Sequence, residues 1–133
     1  FQVTGFVSLV VNATQITFSG APGSRVQANQ NPIGLRVTTN SPINLGCSCT
    51  QFVGSQVPSI VLQPSRFTVD DDNRIGETPE VGQPALVLSS TRQALFSSLP
   101  VGTTNKAVYI FIDIPQPFVD QSYTGTMTFE LYT

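Results

Sequence analysis

No histidine and no tryptophan occur anywhere in these 133 residues, and charged side chains make up only 11% of them. The missing histidine removes the commonest general base and the commonest ligand for transition metals. A Ser-His-Asp triad, a Cys-His pair and histidine-based zinc sites are therefore excluded, and two cysteines are too few for a zinc site of their own. Glycosidases that work through paired carboxylates need no histidine. Their clefts, however, are usually lined by rings that stack on sugars, and this chain has only three tyrosines and no tryptophan. We expect no enzyme, no cofactor, no metal and no small-molecule substrate.

Charge of either sign is thin. Six basic residues are scattered singly and the net charge is −2, so no basic stripe exists to meet phosphates and no nucleic-acid partner is expected. Weak self-repulsion suits a protein that packs against copies of itself. No apolar run approaches the ~20 residues that a membrane-spanning helix needs. Hydrophobic residues at 40% can nonetheless build a core, and the length fits one domain.

What is present is alternation. From Phe1 to Val11, the odd positions Phe1, Val3, Gly5, Val7, Leu9 and Val11 are apolar apart from the glycine, and three of the five even ones are polar. In a strand this puts hydrocarbon along one face. Extended, the segment reaches about 36 Å, longer than a usual strand.

Further strands are expected at Gln15–Ser19, Ile33–Thr38, Ile43–Val53, Val57–Leu62, Phe67–Val69, Ala85–Leu88, Lys106–Ile114 and Tyr123–Tyr132. Residues 25–32 read as a polar loop. Lys106–Ile114 is apolar on both faces and belongs in the middle of the structure. Thr91–Leu99 is the one candidate helix, with Leu95, Phe96 and Leu99 on one side and Pro100 as its stop. Short strands punctuated by Gly, Pro and Asn define an all-β, single antiparallel β-sandwich, jelly-roll or immunoglobulin-like.

Three smaller features carry chemistry. Cys47 and Cys49 sit two apart in a strand with α-carbons ~6.5 Å from each other, either as small buried residues or as a strained local disulfide. Asp70, Asp72 and Glu77 lie in an acidic loop that could offer oxygens to calcium. Arg74 within that loop favours a solvated turn instead. The sequon Asn12-Ala13-Thr14 permits glycosylation of Asn12 in an exported protein. A chain that starts at Phe1 is what removal of a signal peptide would leave, and we expect a secreted, cell-surface protein.

Two readings of the first strand follow. It can be an ordinary strand of its own sandwich, or it can fill the sandwich of a neighbouring copy, with Gly5 leaving a gap for a bulky partner side chain. The alternation about a glycine resembles the N-terminal extensions of chaperone–usher pilins. The whole chain resembles the all-β subunits of archaeal bundling pili and related bacterial biofilm-matrix fibres. The shared features are an apolar N-terminal strand without a pilin helix, the Thr-rich strand Tyr123-Thr124-Gly125-Thr126-Met127-Thr128-Phe129, and few charges.

That resemblance implies residues 1–12 as a donor strand and 13–133 as the sandwich. It further implies a homopolymeric extracellular filament (a pilus or fimbrium) serving cell adhesion and biofilm. Five buried donor side chains, Phe1, Val3, Val7, Leu9 and Val11, would be worth roughly 7–15 kcal/mol before ordering costs. The alternatives are a monomeric binding module for carbohydrate or protein, and a jelly-roll capsid or coat protein.

Overall fold

The computed structural model describes residues 6–30, 32–70, 86–116 and 118–133. These fold into antiparallel sheets with no α-helix among the described residues. One layer is a six-stranded sheet. Its order runs β1 (Val7–Val11), β3 (Ile33–Thr39), β10 (Gly102–Asp113), β7 (Phe67–Asp70) and β8 (Leu86–Val87), and β2 (Arg25–Gln27) also pairs with β10. Facing it are two three-stranded sheets. One is β12 (Met127–Tyr132), β4 (Ile43–Cys49) and β9 (Gln93–Leu99); the other is β11 (Tyr123–Thr124), β5 (Phe52–Gly54) and β6 (Val61–Leu62).

The two small sheets are nearly continuous. The chain breaks register at Thr50 and Thr126, where the Thr50 amide donates to the Thr126 carbonyl and the Thr126 amide donates to Thr50 Oγ1, both at 2.9 Å. Alternation places the core. Ile33, Leu35 and Val37 of β3 and Val108, Ile110 and Ile112 of β10 point inward. They meet Ile43, Leu45, Cys47 and Cys49 of β4 in one cluster, closed by the fully buried Phe67. β10 pairs with β3, β2 and β7, the interior place its two-sided hydrophobicity demands.

Ile43–Val53 and Tyr123–Tyr132, each expected as one strand, divide into β4 and β5 and into β11 and β12, and four further segments differ from expectation. Thr91–Leu99 yields a strand, β9, in place of the expected helix. Leu95 and Leu99 are four apart, and that spacing puts residues on one face in a strand as well as in a helix. Opposite β4, β9 carries extra residues at two register shifts, with Ser98 in the left-handed region at φ 55°. The Ser98 amide donates to Asn44 Oδ1 at 2.9 Å, anchoring the bulge.

The expected strand Val57–Leu62 shrinks to Val61–Leu62. A turn closed by the Ile60 amide on the Val57 carbonyl, 3.1 Å, takes its first half and leaves Val57 exposed. Within 25–32, expected as a loop, Arg25–Gln27 is a strand because the backbone of β10 offers it partners. Gln15–Ser19, expected as a strand, joins no sheet.

Candidate functional site: a cleft beside the first strand

β1 is the end strand of the larger sheet and runs antiparallel to β3 of its own chain, from Val7 opposite Thr39 to Val11 opposite Leu35. Of the residues assigned to a donor strand, Phe1, Val3 and Gly5 lie outside the described residues. Leu9 and Val11 are half-buried against the core, and Val7 is 49% exposed. On the other face Phe6 and Val10 are 56% and 45% exposed. The strand is thus held along one edge and thinly covered.

Asn12 ends β1. Its amide donates to the Gly34 carbonyl at 3.0 Å, and its Oδ1 accepts from the Gly34 amide at 2.9 Å. The side chain is exposed and lies over Gly34, where an added Cβ would sit 3.0 Å from Asn12 Nδ2.

Past Asn12 the chain leaves the sheet and runs along a cleft of about 1100 Å³ between the layers. One wall is the stretch Ala13–Gly20. The other is β11 and β12, and Ile110, Ile112 and Ile114 form part of the floor. Met127 and Phe129 line this side and remain only half-buried, while β12 pairs with β4 on one edge alone among the described residues. The rim is hydroxyl- and amide-rich, with Asp120 as the one charged residue of the described lining. The described lining offers apolar surface and a single carboxylate, beside an edge of β12 that no described strand pairs with.

Ile16 and Phe18 pack from the near wall onto the core, and the Phe18 ring meets Phe67. Thr17, between them, is clasped. Its amide donates to Gln30 Oε1 at 2.7 Å, and its carbonyl accepts from the Asn29 amide at 2.8 Å. Its Oγ1 accepts from Asn29 Nδ2 at 3.0 Å and from Gln30 Nε2 at 3.2 Å. These bonds take the place of a sheet ladder for an alternating segment that joins no sheet.

The remaining candidates are dispersed. Cys47 and Cys49 are free and buried on the inner face of β4, with Met127 opposite Cys49 and Phe129 opposite Cys47. Burial, and then the neighbouring Cys49, pushes the Cys47 thiol up to about 12; burial pushes Cys49 up to about 11. Thiols held this firmly protonated are poor nucleophiles and poor metal ligands. Asp70 is buried at the end of β7, whereas Asp72 and Glu77 lie outside the described residues. No group of three His, Cys, Asp or Glu side chains suited to a metal occurs among the described residues.

Alternation alone did not reveal the cleft or the clasp. The sequence signal for the clasp is the adjacent amide pair Asn29-Gln30 within the polar stretch 25–32.

No protein-family model matches the chain, and no curated protein matches it. Among solved structures it is similar to part of a family 123 glycoside hydrolase from Clostridium perfringens, described in a study of glycolipid glycan hydrolysis. The TM-score is 0.51 at 10% identity, over 95% of this chain and 24% of that one. At this identity the likeness concerns the fold alone: an all-β, antiparallel, sandwich-like architecture that occupies about a quarter of the larger chain.

Proposed function

We propose that the chain is a structural, non-enzymatic subunit of an extracellular filament, joined head-to-tail by exchange of its N-terminal strand. The observation that carries this reading is the position of β1. It is an end strand, bonded only to β3 among the described residues, and its slot runs on past Val11 into the open cleft beside the edge of β12 that no described strand pairs with. In the free subunit β1 lies along its own β3. In the filament the same strand lies along β3 of the next copy, in the same register, with Leu9 and Val11 on that copy's core. Each subunit gives a strand and receives one, so the contact is heterologous and propagates as a fibre instead of closing.

The pairing partner under this reading is Ile33–Thr39. Ile110, Ile112 and Ile114 supply part of the floor of the cleft, and residues 123–129 its far wall.

Val7→Asp combined with Leu9→Asp places carboxylates on the buried side of the exchanged strand, where an unpaired charge is costly. The variant is expected to give folded monomers by circular dichroism and no fibres by negative-stain microscopy, under conditions where the unaltered chain forms them. Normal fibres from the variant would overturn the reading.

A second reading has one observation behind it, the fold shared with part of a glycoside hydrolase: a monomeric module that binds glycan through the hydroxyl-rich rim of the cleft. Binding on a glycan array by a chain that stays monomeric at high concentration would favour it.

A further inference from the structure

We infer that Ala13–Ser19 is a displaceable strap which forms one wall of the cleft in the free subunit, with the Thr17 clasp as its catch. Between the Asn12 bonds to Gly34 and the turn at Gly20–Ser24, the strap is held by two kinds of contact. Ile16 and Phe18 pack on the core, with Phe18 on the buried ring of Phe67. Thr17 is bonded through its amide, carbonyl and hydroxyl to the adjacent residues Asn29 and Gln30.

All of the clasp's side-chain bonds are solvent-exposed. Water can replace each of them at small net cost, so the catch is weak compared with the ladders on either side. A segment with few ladder bonds at the end of an edge strand is the kind that opens locally while the sheets stay shut. Opening would uncover Phe52, Phe67 and the isoleucines of β10, and it would free the connection that β1 needs if it is to leave its own sheet.

The strap itself stands on the contacts just described. Its role as the gate to assembly rests on the filament reading.

The test uses the full chain and two variants, Gln30→Ala and Phe18→Ala. Neither removes a bonding group of the reporter, the Asn29 amide, which donates to the Thr17 carbonyl and is protected only while the strap is in place. Hydrogen exchange at Asn29 is expected to quicken about tenfold in each variant, while in Gln30→Ala the amides of Val37, Leu45 and Val108 keep their wild-type protection. Unchanged exchange at Asn29 in both variants would overturn the strap, and so would equal quickening throughout the core in Gln30→Ala.

Fibre growth is then followed from monomer. A shorter lag in Gln30→Ala supports the gating role; an unchanged lag with a demonstrably open strap overturns it. If Asn29 exchange quickens and neither the variants nor the unaltered chain ever form fibres, the strap stands and the filament reading fails.

Discussion

Phe18 meets Phe67 nearly edge-on, with ring centroids 5.7 Å apart and ring planes at 62°. Phe52 approaches Phe67 from another side at 4.5 Å. A residue from a segment outside every sheet therefore touches the most deeply buried aromatic ring of the core, and that contact ties the strap to global stability.

Phe67→Ala removes a ring with no solvent exposure and leaves a cavity that Phe18 and Phe52 cannot both fill. A loss of about 3–5 kcal/mol is expected in urea denaturation. Phe18→Ala, at a half-buried position, is expected to cost roughly half as much. Equal losses would mean that Phe18 is as much a part of the core as Phe67.

Gly125 separates β11 from β12, and a Cβ there would run into the ring of Phe52. Gly125→Ala must push that ring off Phe67. We expect a loss of about 1–3 kcal/mol, read as a lowered denaturation midpoint. Pairing it with Phe52→Leu should recover part of the loss; additive losses would place the cause elsewhere.

Ser98 takes a left-handed backbone conformation at the β9 bulge. An L residue pays about 1 kcal/mol or more there, and glycine does not. Ser98→Gly is expected to raise stability by up to about 1 kcal/mol, and Ser98→Val to lower it by about as much or more. The opposite order in thermal denaturation would show that the bulge relaxes.

The thiols set an alkaline limit. A thiol is neutral when protonated, and in the folded state burial lifts Cys47 to about 12 and Cys49 to about 11, from an ordinary 9.0. As pH rises the unfolded chain therefore gives up these protons first. Their contribution is complete below about pH 9 and declines between there and the folded values, by about 1.4 kcal/mol per pH unit for each thiol. The difference in stability between the unaltered chain and Cys47→Ala with Cys49→Ala should shift in this direction above pH 9. The native thiols should also resist a disulfide reagent at pH 8 and react on unfolding. Rapid reaction of the folded chain would contradict their burial.

Much of the architecture was legible because strand periodicity is a local property. Ile33, Leu35 and Val37 had to share a face, Arg36 had to oppose them, and β10 had to be interior because both its faces are apolar. The same logic failed where two periods coincide: Leu95 and Leu99 suit a helical turn or a strand equally, and pairing with β4 chose the strand. It failed again at Gln15–Ser19, whose alternation is real but whose backbone found Asn29 and Gln30 in place of a neighbouring strand.

By itself the sequence determined an all-β chain, the residues that turn inward along each strand, and a site without histidine chemistry. These follow from side-chain type and from the two-residue repeat of an extended backbone. Only the tertiary structure decided that β1 runs along β3, that no described strand pairs with the outer edge of β12, and that a clasped strap lines the cleft between the layers. Each of those depends on backbone groups far apart in the chain meeting one another, and a main-chain amide carries no mark of the carbonyl it will find.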